Sequence, residues 1–213
     1  MKNLLSIFLV FLTILSASAQ YDPKALEVLD AMGEKYKSFP SYELNFSFTQ
    51  TNDIEKVNEE FKGKLAVKND KFHMVLPEQE VINNGATIWT YLPEAKEVNI
   101  DNYDPNSDDI NPFKIYEIYK KNFKYLYLQE KSEGGVLCDE IDLVPEKKDA
   151  QYFKIKMFIS KKDKTIKGLT MFDKGGNRYK YSVSKFTPNT KVDDSYFTFD
   201  PKKYPGVEII DLR

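Results

Sequence analysis

The decapeptide SYELNFSFTQ, residues 41–50, sets Tyr42, Leu44, Phe46, Phe48 and Gln50 on one parity and Ser41, Glu43, Asn45, Ser47 and Thr49 on the other. Successive side chains of a strand point to opposite faces, so this is the period of a half-buried β-strand with an aromatic apolar side. What that side meets decides the fold: a packed core, or a space that the core encloses.

The same period recurs outward from it. FKGKLAV places Phe61, Leu65 and Val67 on one parity, and KFHMVL does the same for Phe72, Met74 and Leu76. The pair Asn69-Asp70 between them reads as a hairpin turn. EVINNGATIWTYLP supplies two short strands around Asn83-Asn84-Gly85, and KEVNIDNYD continues the meander. Further along, YLYLQEK, VLCDEIDLV, YFKIKMFIS, TIKGLTMF, RYKYSVSKF and SYFTF are separated by turn signals such as GG, DKGGN and TPNT. The count is about ten or eleven strands, with no repeat period and no linker. Successive hairpins make an antiparallel sheet, and a sheet this long curls into a barrel or splits into a sandwich.

Two segments carry helical spacing instead. In DPKALEVLDAMGEKYKSF, Asp22 is a plausible N-cap, Pro23 takes the first helical position, and Leu26, Leu29, Met32 and Tyr36 form an apolar stripe. In mid-chain, Asn111 is a possible cap and Pro112 a first-turn residue. The helix beyond them carries Phe113, Tyr116 and Phe123 on one face, broadened by Ile115, Ile118 and Tyr119. The expectation is one α+β domain, residues 20–213, with two or three helices over the concave face of the sheet.

Residues 1–19 are read as a signal peptide. Lys2 precedes an apolar run from Leu4 to Leu15 and the small residues Ser16-Ala17-Ser18-Ala19, which places cleavage before Gln20. The run is shorter than the roughly 20 residues a bilayer span needs. No cysteine follows the expected cleavage site to accept a lipid, so the mature chain is expected to be soluble outside the inner membrane. Loss of Lys2 takes the formal charge from −2 to −3, and charges of both signs alternate without the basic stripe of a nucleic-acid binder. The single cysteine, Cys138, cannot form an internal disulfide and reads as a buried small hydrophobe.

Catalytic chemistry finds little purchase. The one histidine, His73, has the parity opposite to Phe72, Met74 and Leu76 and is expected to face solvent or the outer side of the sheet. No G-x-S-x-G elbow, phosphate-cradling glycine loop or cluster of metal-ligating residues occurs. The acid pairs Asp108-Asp109 and Asp193-Asp194 sit in polar, loop-like stretches and read as solvated surface. Neither an enzyme nor a cofactor or metal protein is expected. What stands out is 15 Phe, 14 Tyr and 1 Trp, many on the apolar parity of strands. They either fill a core or line an apolar cavity for a ligand.

The series FSFTQ (46–50), GKLAVK (63–68), KF (71–72), NNGATIWTYLP (83–93), NPF (111–113) and FTF followed by GVEII resembles, in order and spacing, the LolA family of periplasmic lipoprotein carriers. The resemblance covers nearly the whole mature chain. It implies an unclosed antiparallel β-barrel with α-helices as a lid, enclosing a cavity for the acyl chains of lipoproteins. Carried over residue by residue, it implies a lining of Leu26, Leu29, Phe46, Phe48, Leu65, Val67, Phe72, Met74, Trp89, Phe113 and Tyr116. It also implies a monomeric chaperone that receives acylated lipoproteins from an inner-membrane lipoprotein-releasing ABC transporter. Delivery would be to an outer-membrane acceptor or to the outer membrane itself. A LolA-like sensor of stray lipids or lipoproteins, reporting envelope stress, is the alternative. One departure is notable: where the family usually reads K-R-P, with the arginine controlling lid closure, this chain has Asn69 and Asp70, which makes Asn69 the lid-latch position and predicts a looser lid.

Overall fold

The computed structural model describes residues 21–105 and 114–213; the expected signal peptide and the Asn111, Pro112 and Phe113 positions lie outside them. The chain opens with α1 (Pro23–Lys37), then β1 (Ser41–Asn52), β2 (Val57–Lys68), β3 (Lys71–Val75), β4 (Glu80–Asn83), β5 (Thr87–Leu92) and β6 (Glu97–Asn102). After a 3-10 helix at Ile115–Lys120 come β7 (Phe123–Glu133), β8 (Val136–Pro145), β9 (Tyr152–Ser160), β10 (Ile166–Asp173) and β11 (Asn177–Pro188). Two more 3-10 helices, Asp194–Phe197 and Pro201–Lys203, precede β12 (Glu208–Asp211).

All twelve strands belong to one sheet, ordered β12-β6-β5-β4-β3-β2-β1-β11-β10-β9-β8-β7. It is antiparallel except at one edge, where β12 runs parallel to β6 with Ile209 opposite Val98. The edge strands β7 and β12 do not pair, so the barrel is unclosed. The count is twelve where pattern reading gives ten or eleven, and SYFTF, read as a strand, is the 3-10 turn Asp194–Phe197 because Asp193 accepts the Ser195 amide and turns the backbone over.

The opening decapeptide lies at the centre of the sheet, between β2 and β11. Tyr42 and Phe46 face the concave side and are 5% and 6% exposed. A bulge between Asn45 and Phe46 shifts the register against β11, and Ser184, the extra residue, donates its hydroxyl to the Asn45 carbonyl at 3.1 Å. Opposite Phe46 stands Gly63; a Cβ there would meet the Phe46 ring and lie 2.8 Å from Leu76 Cδ2. Glycine is thus what lets the ring lie flat across β2.

α1 forms as its sequence dictates. The Asp22 carboxylate accepts the Lys24 amide at 2.8 Å, Pro23 starts the first turn, and Lys35 and Lys37 sit in the last. The same carboxylate accepts the Tyr127 amide at 3.0 Å from edge strand β7, tying helix start to sheet edge. The buried stripe is Ala25, Val28, Leu29, Met32, Gly33 and Tyr36. Leu26, expected in it, is 36% exposed: at 100° per residue it falls to the side of the 25-29-32-36 line.

The mid-chain helix, expected to be α, is a 3-10 turn of six residues in which Lys114 provides no side-chain cap. β-branched and aromatic residues fill it, and these are poor helix formers over so short a run. Ile115, Ile118 and Tyr119 are buried against α1, where the Tyr119 hydroxyl donates to Asp30 Oδ1 at 2.6 Å.

The outer face of β4–β6 is also buried, under the C-terminal segment. Ile82, Val98 and Phe199 form a second core with Trp89, Tyr91, Ile100, Tyr204 and Val207 packed on it. Here lies one correction. Trp89, expected in the cavity, pairs with Ile82 and Ile100 and shares their outward parity, so it belongs to this second core. His73 is on the outer side, but at 8% exposure it does not meet solvent. Its Nδ1 is 2.9 Å from the Tyr196 carbonyl oxygen and its Nε2 2.6 Å from Glu80 Oε1, which also accepts the Tyr204 hydroxyl at 2.8 Å.

These contacts predict an acid response. His73 and the Tyr204 hydroxyl hold the Glu80 carboxyl below its ordinary 4.5, and Lys68 and Lys71 hold Asp194 at about 2. A depressed carboxylate stabilises the fold above its unfolded pKa, and that contribution is lost as pH falls through the folded value. Between pH 4.5 and 2, therefore, the C-terminal segment is expected to undock before the main core opens. Trp89, the only tryptophan, reports it: its emission should shift to the red in that window while the far-ultraviolet dichroism stays near native.

Candidate functional site: an aromatic cavity under a lid

Between the concave face and the lid lies a cavity of about 390 Å³. That is the low end of the range for small-molecule sites. β1 contributes Tyr42, Leu44 and Phe46; β2 and β3 add Leu65 and Met74. β10 contributes Ile166, Leu169 and Met171, and β11 contributes Tyr181 and Val183. Tyr36 of α1 and Ile115 and Tyr116 of the 3-10 helix roof it, and Gln151 and Tyr152 stand where β9 begins.

One end is plugged by rings. Tyr36 stacks on Tyr116 with centroids 4.9 Å apart and planes 9° off parallel, and meets Tyr42, Phe39 and Phe186 edge-on. The Ile166 amide donates to the Tyr36 hydroxyl at 3.2 Å, which fixes the ring between lid and wall. Burial pushes the phenols of Tyr36 and Tyr42 well up, so both stay neutral donors or acceptors. Away from these rings stands Gln151, the one exposed residue among the described residues of the lining.

The residues expected in the lining divide. Phe46, Leu65, Met74 and Tyr116 line the cavity. Leu29, Val67 and Phe72 are in the main core beside it, and Phe48 packs on that core against Phe61, Tyr179 and Tyr181. Leu26 and Trp89 lie elsewhere, as described, and Phe113 is outside the described residues. The β10 and β11 members of the lining were missed, although LTMF and RYKYSVS carry the same alternation as the opening decapeptide.

Among the described residues no hydrogen bond joins the Asn69 side chain to the lid. Asn69 takes φ +54° at the β2–β3 turn and donates its amide to the Pro40 carbonyl at 3.3 Å. The link to the lid is Asp70, whose carboxylate is 2.9 Å from Lys114 Nζ and raises the pKa of that ammonium. Asp70 is 69% exposed, so the pair is worth at most about 1 kcal/mol. The lid is held by buried rings, and the ion pair trims its position.

Among the described residues the lining carries apolar surface, phenols and one amide, and no carboxylate, imidazole or thiol. Among the described residues no group of histidine, cysteine and acid side chains is arranged to hold a metal. The sole thiol, Cys138, is fully buried in β8, and burial pushes its pKa up. Such a lining can enclose an apolar ligand and offer it hydrogen bonds at chosen points.

Residues 38–200 match the family described as outer membrane lipoprotein carrier protein LolA. The chain is 28% identical over 165 residues to the outer-membrane lipoprotein carrier protein of Pseudomonas paraeruginosa, covering 71% of this chain and 72% of that one. The carrier protein of Azotobacter vinelandii is 23% identical over 200 residues, 90% of each chain. Among solved structures, an uncharacterized conserved protein from Thermus thermophilus superposes with a TM-score of 0.61 at 12% identity, over 88% of this chain and 99% of that one.

Proposed function

This chain belongs to the LolA family of outer membrane lipoprotein carrier proteins, and from that premise we propose that it is a non-enzymatic periplasmic chaperone for acylated lipoproteins. It takes acyl chains into the cavity and carries them from the inner to the outer membrane. Its partners in this reading are an inner-membrane lipoprotein-releasing ABC transporter at loading and an outer-membrane acceptor, or the membrane itself, at release.

The observation that carries the reading is the cavity, an apolar space roofed by a short 3-10 helix that packs on rings. Each buried methylene is worth roughly 0.8 kcal/mol, so a short length of acyl chain suffices to hold a cargo otherwise insoluble in water. Release requires that this affinity be offset. The Tyr36–Tyr116 stack supplies the offset, because loading must break ring contacts that the empty form enjoys.

The test is native mass spectrometry of the mature protein isolated from its own periplasm without detergent. Bound acylated lipoprotein is expected, and it should fall below detection in Leu44→Glu and Met74→Glu, both at half-buried positions of the lining. Free phospholipid alone would favour the sensor reading, and an empty protein would end the carrier reading.

A further inference from the structure

We propose that Asn84, in the turn between β4 and β5, is a site of covalent modification: in the folded protein its side-chain amide loses ammonia to the neighbouring backbone and ends as aspartate or isoaspartate. The inference needs only the geometry of this turn and is independent of the carrier reading.

The chemistry is a ring closure. The backbone nitrogen of Gly85 attacks Asn84 Cγ, the Cγ–Nδ2 bond breaks, and ammonia leaves with the proton that the attacking nitrogen gives up. Water then opens the five-membered imide at either carbonyl. One opening restores the normal backbone with an aspartate side chain; the other routes the backbone through Cγ and lengthens it by one methylene. Water is the only co-reactant.

The first support is the sequence and its exposure. Asn84-Gly85 is the one Asn-Gly pair of the chain, and every other asparagine is followed by a residue whose side chain crowds the attacking nitrogen. Gly85 takes φ +94°, a region that glycine enters freely, and beyond its chain neighbours no heavy atom lies within 4 Å of where a Cβ would stand. Gly85 and Ala86 are exposed, so water reaches the imide.

The second support is the set of hydrogen bonds around the reacting atoms. Asn84 Oδ1 accepts the amides of Ala86 at 3.0 Å and Thr87 at 2.9 Å, which folds the side chain back over the turn that contains the Gly85 nitrogen. Attack at Cγ puts negative charge on Oδ1, and two N–H donors already point there, as in an oxyanion hole. On the other side the Gly85 N–H donates to Asn83 Oδ1 at 2.5 Å. Asn83 is fully buried, so this acceptor is fixed and draws the proton away from the nitrogen that must attack.

The third support is that the turn is clamped from both flanks. The Asn84 amide donates to the Thr87 carbonyl at 3.2 Å, and the Tyr103 amide donates to the Ala86 carbonyl at 2.8 Å. A flexible peptide must find such an arrangement by chance, whereas here the ordering is done before the reaction starts. The isoaspartate product does not fit the same bonds, because its backbone is longer by a methylene between residues 84 and 85. Modification therefore opens the turn end of the hairpin, next to the Asn83–Ile88 pair.

The test incubates the mature protein at 37 °C and pH 8 in water enriched in oxygen-18, beside a synthetic peptide of residues 80–92. Peptide mapping by mass spectrometry follows Asn84, and the heavy oxygen separates conversion during incubation from conversion during digestion. Asn84 is expected to convert about tenfold faster in the folded protein than in the peptide, to a mixture of aspartate and isoaspartate, and before any other asparagine. Full unfolding in urea should bring the protein down to the rate of the peptide in the same urea. A folded protein that converts no faster than the peptide, an advantage that survives unfolding, or earlier conversion at another asparagine overturns the inference.

Discussion

Tyr36→Ala is expected to destabilise the protein by about 3–5 kcal/mol in urea unfolding, the range for emptying a large aromatic site in a core. Tyr36 is 5% exposed and touches four other rings, from the lid, the loop after α1, β1 and β11. Its removal also leaves the Ile166 amide without its partner, a further cost for a buried donor. The lid should respond more than the sheet. Amides of residues 115–120 are expected to exchange at least tenfold faster in the variant, because their roof contact has gone. Lys114→Ala is the control: it breaks the Asp70 ion pair yet should change stability by less than about 1 kcal/mol. Comparable losses in the two variants would mean that charge, and not the ring cluster, closes this lid.

The second large effect is expected at Gly63. A leucine there has no room, since the first added carbon already meets Phe46 and Leu76. Strand pairing with β1 holds the backbone, so the ring must yield, and the space it can enter is the cavity. Overpacking of this kind costs about 1–3 kcal/mol. The functional cost is expected to be larger than the stability cost: the protein should remain folded, with near-native dichroism, and carry no lipoprotein out of the periplasm. Gly63→Leu protein that still copurifies with acylated cargo would show that the Phe46 end of the cavity is not where the chains lie.

Part of this was legible beforehand. The apolar parity of Phe46, Leu65 and Met74 follows from alternation, since β1, β2 and β3 keep register around the Asn69-Asp70 turn, but alternation selects Phe48, Val67 and Phe72 equally, and the family resemblance supplied the expectation of a cavity. Trp89 could not be placed that way. Both faces of β4–β6 are covered, one by the cavity side and one by a C-terminal segment more than a hundred residues away, and parity does not say which face is concave. Tyr152 was hidden for another reason. The register between β9 and β10 shifts between Phe172 and Asp173, so Tyr152 turns inward although Lys154, two residues on, faces outward beside Phe172. Periodicity cannot see such a shift. The lid was misread in type because helical spacing was present in a segment too short and too β-branched to sustain an α-helix.

The C-terminal segment gives the sheet two unequal halves. Behind β4–β6 it lays a second core of Ile82, Val98 and Phe199, while the outer face of β7–β11 is backed by its own polar and charged side chains, Glu140 with Lys156 and Gln129, and Lys180 with Glu133. Bending stiffness rises steeply with thickness, so a wall two layers deep resists flexing where a single layer gives. The half of the shell around β8–β10 is therefore expected to yield more readily than the half backed by the C-terminal segment, and the Asp22–Tyr127 bond couples its edge to the start of α1.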